Sequence, residues 1–327
     1  MLPEILPRAV DQGDVRSWVM RGRRAGVAVA TLAAVIAVAA ACSPPSSPPA
    51  ELSQVAPIAV NGMVQDGASV WVSDLFGRQV VRFSPDTGVI EERYGMDVGV
   101  CTADDPVVVP GGDVVATCPT EGLVVRIPRG GGRVMTLANV GRGVNPIALD
   151  PSGTSVLVGF GAGDDDRLLR VPLGGGPVTT VAGGLPALNG FGFGPDGLLY
   201  VPTGGVPGLF GTGGLGRIDT ATGAFADIPL SFPDEPGKVG LQFAVGADVA
   251  ADGTVFVAQG FNAAVYAVDP ATGVARLVGR SPVGVADNVL ALTDGRVLLS
   301  DFFGGTVTVF TPGPGGTYAT STLRIGA

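Results

Sequence analysis

The sequence predicts an all-β protein, a six-bladed β-propeller of four-stranded antiparallel blades, and three observations carry that prediction. One strand-turn-strand signal recurs six times along the chain, and a second hairpin signal alternates with it six times. After residue 42 no window keeps a 3.6-residue apolar period, so little helix is expected there.

The segment before residue 42 is different. Arg21, Arg23 and Arg24 precede an apolar run over 27–41, which closes on Ala39, Ala40 and Ala41 before Cys42. A run of 15 apolar residues falls short of the roughly 20 that cross a bilayer, so residues 1–41 read as a signal peptide. Met20 opens a well-formed n-region and residues 1–19 add only an acidic preface, so translation is expected to start at Met20. The Arg23-Arg24 pair reads as part of an ordinary n-region. The boundary resembles a bacterial lipobox, with Ala39 where leucine is usual, which implies an acylated Cys42 as the new N-terminus. Residues 42–54, rich in Pro and Ser, then form an extended tether, and 55–327 form the propeller. The chain is expected at the outer face of the bacterial cell membrane, held by acyl chains alone, with plain secretion as the alternative.

The first signal begins at Asn61, Asp104, Asn145, Asn189, Val245 and Asp287, each followed by an apolar strand, a tight turn such as Asp-Gly or Gly-Gly, and a second strand. The second is a hairpin turn, beginning at Pro85, Pro128, Pro172, Asp219, Asp269 and Thr311. Asp-Gly and Gly-Gly supply the positive φ of tight hairpins, so each unit makes four antiparallel strands. One small sheet cannot bury both faces alone, and stacking such units gives propeller blades. The spacings between anchors are 43, 41, 44, 56 and 42, and the long one is assigned to a Gly-rich loop over 202–216.

Outside the cytoplasm disulfides persist, and Cys101 and Cys118 bracket one predicted hairpin. They are expected to pair, two small buried hydrophobes being the alternative.

Composition excludes several chemistries. There is no histidine, which removes Ser-His-Asp and Cys-His nucleophile systems and imidazole as a base. The formal net charge is −9, and residues 1–41 hold five of the arginines, so the remainder is more acidic still. Nucleic acid is therefore excluded as a partner, because binding phosphate needs clustered Lys and Arg. A monomer is expected.

In a propeller the first strand of each blade lines the central channel, so the six anchors meet around the axis at one face. Asp104, Asn145, Asn189 and Asp287 there suit Ca²⁺ or another divalent metal, and Asp104 and Asp287 are the catalytic candidates. The alternative is that these groups cap the inner strands by bonding backbone. Loops on the same face carry Phe76, Phe160, Phe210, Phe261 and Phe303, which with Asn61 make an apolar rim for a ligand or plug the gaps between blades. Asp74 and Asp301, each in Ser-Asp-x-Phe-Gly, are spare carboxylates on that face, and Asp164, Asp165 and Asp166 read as a solvated acidic turn.

The units Asn189-Gly-Phe-Gly-Phe-Gly-Pro-Asp-Gly-Leu-Leu-Tyr-Val and Asn61-Gly-Met, the latter leading to Val-Trp-Val-Ser-Asp, resemble the senescence marker protein/gluconolactonase/luciferin-regenerating-enzyme family. NHL-repeat propellers and streptogramin lyases share this grammar. The resemblance spans roughly residues 55–323 and implies a cation at the channel mouth, held by a Glu, the Asn of an Asn-Gly motif and an Asp. Asn189-Gly190 matches the Asn-Gly motif, whereas Asn61 stands at the Glu position and Val245 at the Asp position. Streptogramin lyase chemistry depends on a histidine that this sequence lacks. Two functions follow: an exported lipoprotein that binds a small molecule or an envelope protein at the channel mouth, or a Ca²⁺-dependent hydrolase of a lactone or ester.

Overall fold

The computed structural model describes residues 56–161, 167–204, 213–282 and 284–326. The signal segment, Cys42 and the tether lie outside the described residues, as do Phe210, Asp164, Asp165, Asp166 and most of the 202–216 loop.

Twenty-four strands form six sheets of four. The first blade is β1 (Val60–Asp66), β2 (Ser69–Asp74), β3 (Gln79–Phe83) and β4 (Ile90–Tyr94). The second is β5 (Pro106–Val108), β6 (Val114–Cys118), β7 (Leu123–Ile127) and β8 (Met135–Asn139). The third is β9 (Val144–Leu149), β10 (Ser155–Phe160), β11 (Leu168–Pro172) and β12 (Thr179–Ala182), and the fourth β13 (Gly192–Phe193), β14 (Leu199–Thr203), β15 (Gly214–Asp219) and β16 (Ala224–Ile228). The fifth is β17 (Ala244–Val249), β18 (Val255–Gln259), β19 (Ala264–Asp269) and β20 (Val274–Arg280), and the sixth β21 (Ala286–Ala291), β22 (Val297–Asp301), β23 (Thr306–Pro312) and β24 (Tyr318–Arg324). Every sheet follows chain order with antiparallel neighbours, a six-bladed β-propeller. The loop assigned to 202–216 is shorter than the sequence suggests, because β14 runs to Thr203 and β15 starts at Gly214; the 229–243 connection supplies further length to the long fourth interval.

The core lies in the gaps between blades. The second strands are buried along all or nearly all of their length, as the Val-rich runs require, whereas the fourth strands are mostly half-buried or exposed. One apolar cluster fills each of the six gaps: Trp71 anchors the first, Phe160 the second, Leu199 the third, Tyr266 the fourth and Phe310 the fifth. The sixth gap joins Val72 and Phe83 of the first blade to Leu298 and Val309 of the last.

That last junction closes the ring without any exchange of strands, since β21 to β24 all come from one stretch of chain. Besides its apolar cluster it is held by Gln65, whose Nε2 donates to Thr293 Oγ1 and whose Oε1 accepts from the Thr293 amide, both at 2.9 Å. Val60 N–H donates to Gly304 O at 3.1 Å, and Gly326 N–H to Gly88 O at 2.8 Å. Gln65→Ala removes two of these bonds at an exposed edge and is expected to cost about 1 kcal/mol in urea denaturation; an unchanged midpoint would show that packing alone seals the ring.

Candidate functional site

All six anchors sit at or just before the starts of the inner strands, and in four blades the ladder there is irregular. The pairing register shifts between Val60 and Met63, between Ala286 and Val289, and between Ala244 and Gly246, with a matching shift opposite Asn145. A bulge breaks the alternation of faces, so two consecutive residues turn toward the axis. The residues after five of the anchors, Gly62, Asp105, Gly190, Gly246 and Asn288, lie close together and form a second layer.

Asp105 and Asn288 meet across the hub in this lower layer, Asn288 Nδ2 donating to Asp105 Oδ1 at 2.8 Å. Three glycines make room for them. A Cβ on Gly62 would stand 2.1 Å from Asp105 Oδ1, and one on Gly190 or Gly246 would stand 2.7 or 2.8 Å from Asn288 Oδ1. The glycine of each Asn-Gly pair is therefore required by close approach at the axis.

The outer ring is unusual in its hydrogen bonding. Asn145 Nδ2 donates to Asp104 Oδ2 at 2.6 Å. Yet Asn61 Oδ1, Asp104 Oδ1, Asn145 Oδ1 and Asp287 Oδ2 are buried with no hydrogen-bond partner. Asn61 and Asp104 are 2 and 3 % exposed, so solvent does not satisfy them. Unpaired buried oxygens cost free energy, and ordered water or a cation at the ring would satisfy them.

The electrostatics agree. Burial pushes the Asp104 carboxyl well above the usual carboxylate range, and the neighbouring Asp105 and Asp287 carboxyls push it further. Asp105 is raised by burial and by Asp287, against the bond from Asn288. Burial raises Asp287 to about 7. Lower in the channel Asp248, whose Oδ2 accepts from the Ala291 amide at 2.8 Å, is raised by burial to about 6. Among the described residues no group of three His, Cys, Asp or Glu side chains is placed to hold a metal, so a cation here needs the asparagine oxygens too.

Two of the six anchors, Asn189 of the expected cation set and Val245, do not join the ring of free oxygens. Asn189 Oδ1 accepts from the Gly190 amide at 2.9 Å, turned back onto its own backbone. Val245 packs into the apolar gap between the fifth and sixth blades. Conversely, Asp105, Asn288 and Asp248 are hub groups that the anchor pattern passes over; the doublets Asp104-Asp105 and Asp287-Asn288 are their only signal.

The segment that delivers Asp104 and Asp105 is clamped. Cys101 and Cys118 form a disulfide with Cα atoms 6.0 Å apart. Glu121 holds Thr102 through its backbone N–H and its hydroxyl, Asp104 N–H donates to Thr117 O at 2.9 Å, and Ser73 Oγ donates to Asp104 O. Replacing both cysteines by serine opens a loop of 17 residues and is expected to cost about 3 kcal/mol in urea denaturation; a loss under about 1 kcal/mol would show that the other bonds suffice.

The Phe series divides. Phe160 is a correction to the rim reading: it is 2 % exposed inside the gap between the second and third blades, because it ends a fully buried strand. Phe261 and Phe303 are exposed and Phe76 is half-buried, all on the loops at the anchor end. Asp74 is not spare, since its oxygens accept from the Ile58, Ala59 and Gly77 amides and from Gln79 Nε2. Asp301 likewise accepts from Thr306 Oγ1 and the Phe303 amide. In both Ser-Asp-x-Phe-Gly loops the glycine is forced, a Cβ there falling about 2 Å from the aspartate.

No protein-family model matches the chain, and no curated protein matches it. Solved structures do. A gluconolactonase from Xanthomonas campestris superposes with TM-score 0.58 at 18% identity over 77% of this chain and 86% of that one. Regucalcin from Agrobacterium tumefaciens, described as a calcium-binding protein, gives 0.56 at 16% over 76% and 83%. Virginiamycin B lyase from Staphylococcus aureus gives 0.57 at 12% over 81% and 84%. At these identities the likeness is one of fold.

Proposed function

We propose that the hub holds a divalent cation, Ca²⁺ by its donor set, and that the chain is a cation-dependent hydrolase of a lactone or ester. The observation that carries this is the ring of four buried side-chain oxygens without partners: Asn61 Oδ1, Asp104 Oδ1, Asn145 Oδ1 and Asp287 Oδ2. Carboxylate and carboxamide oxygens with no imidazole or thiolate suit a hard cation that completes its shell with water. The cation when bound supplies Lewis-acid polarisation of a substrate carbonyl.

The remaining roles fall to the chain. Asp105 is not among the free oxygens; Asn288 orients it, and of the carboxylates beside the ring it is the one left to take a proton from an attacking water, once a bound cation favours its ionised form. The lower layer of Asp105, Asn288 and the three glycines closes the channel beneath the ring, so substrate enters from the anchor face. The disulfide supports a location outside the cytoplasm, and there a site with a Kd of about 10⁻⁴–10⁻³ M is sufficient. Anchoring through Cys42 remains part of this proposal, and the likeness to a gluconolactonase and to a calcium-binding propeller supports it at the level of fold.

Calorimetric titration of chelated protein with CaCl₂, followed by a panel of lactones and aryl esters with and without EDTA, tests the reading. One saturable site and EDTA-sensitive turnover are expected. Absence of calcium binding, or turnover indifferent to EDTA, overturns it.

A further inference from the structure

Among the described residues the mouth is not equally apolar around its circumference. Over the sixth and first blades Phe302 packs edge-on against Phe303 at 4.8 Å and against Phe76 at 5.7 Å. Over the fifth blade Phe243 and Phe261 stack at 4.3 Å. Phe303 and Phe261 nonetheless leave 65 and 63 % of their surface in water. The other arc carries polar groups, Glu121 bonded to Thr102 and paired with Arg78 at 3.7 Å.

Both aromatic groups are wired to the cation ring. Phe302 N–H donates to Val285 O at 3.1 Å and Ala286 N–H to Gly260 O at 2.9 Å, so Asp287 stands between the two groups. The Val60 to Gly304 bond sets Asn61 beside Phe303. Phe243 holds φ at 51° and Ala263, two residues past Phe261, holds φ at 44°. A bulky residue in the left-handed region is strained, and here the strain lays the Phe243 ring flat against Phe261. Exposed rings held in place at such cost, continuous with a polar site, fit an apolar group that arrives with the substrate.

We infer that the substrate is an ester or lactone with an aryl or acyl substituent, which lies on the crescent of Phe76, Phe243, Phe261, Phe302 and Phe303 while its carbonyl meets the hub. This rests on the cation-dependent reading above. A free polar sugar lactone would leave the crescent bare.

The test uses 3-phenylpropionate and acetate, carboxylates that stand for the acid product with and without an apolar substituent, titrated calorimetrically into the full chain with calcium or with EDTA. Phenylpropionate is expected to bind at least about tenfold more tightly than acetate. Phe261→Ser and Phe303→Ser, both at exposed positions, are expected to shrink that gap about threefold or more each, with acetate unchanged. EDTA is expected to weaken both acids together. If EDTA changes neither acid while the Phe variants still shrink the gap, the crescent stands and the cation reading falls. Equal binding of the two acids, or a gap that survives both variants, overturns the crescent. So does a result in which the variants lose only their association with phosphatidylcholine vesicles.

Discussion

Asp105→Asn is expected to lower turnover about 10²–10⁴-fold while calcium titrates as in the parent. The substitution is isosteric, and its Oδ1 still accepts from Asn288 Nδ2 across the 2.8 Å contact, so the lower layer keeps its shape. What it loses is the ability to take a proton. Asp287→Ala and Asp104→Ala remove ring oxygens, and both calcium binding and turnover are expected to fall together. The contrast separates the two tasks: a fully active Asp105→Asn removes Asp105 from the chemistry, and an Asp287→Ala protein that titrates normally removes Asp287 from the ring.

The metal-free protein is expected to lose stability as pH rises from about 4 to about 7, by a few kcal/mol in total, and calcium is expected to reduce the loss. The direction follows from the hub. Asp287 is raised from 3.8 to about 7 and Asp248 from 3.8 to about 6. Between those values the folded chain keeps protons that the unfolded chain has released, so each step up in pH favours unfolding. Below about 4 both states are protonated and the effect is absent. Calcium reverses the preference at the ring by favouring ionised carboxylates, so its stabilisation should be small at pH 5 and large at pH 8. Thermal midpoints at both pH values, with EDTA or CaCl₂, give the comparison. The excess of acidic groups acts in the same direction, and Asp104 and Asp105 are raised as well, so the deciding control replaces all four hub aspartates by asparagine; if the EDTA slope survives in that protein, its source is not the hub.

The architecture was legible because each turn announces itself locally. Asp-Gly and Gly-Gly fix hairpins within a few residues, and Gly67, Gly111, Gly153, Gly197, Gly253 and Gly295 all take positive φ at the tips of the inner hairpins. The anchors were legible for the same reason, since each stands six to eight residues before the glycine of its turn. The lower layer was not. Strict alternation sends Asp105 and Asn288 to the opposite face from Asp104 and Asp287, and only a bulge, which leaves no mark in composition, brings both members of each doublet inward. Phe160 and Phe303 stand in similar Phe-Gly pairs, yet one is enclosed and the other open. Phe160 is the last residue of β10, paired with Val144 as Asp301 is with Ala286, whereas Phe303 lies two residues beyond its strand, a difference of register that the Phe-Gly pairs do not reveal. Asp74 looked spare because its four donors come from Ile58, Ala59, Gly77 and Gln79, two of which precede the first strand.

The ring joins first blade to last by side-by-side packing and a few bonds, with no strand shared across the joint. Asn61 and Asp287 lie on its two sides. A metal ion gripped by both would act as a rivet through that joint, so that removing it would loosen the wheel there. Amide hydrogen exchange along β1 and β21 would then quicken on chelation, ahead of the blades opposite.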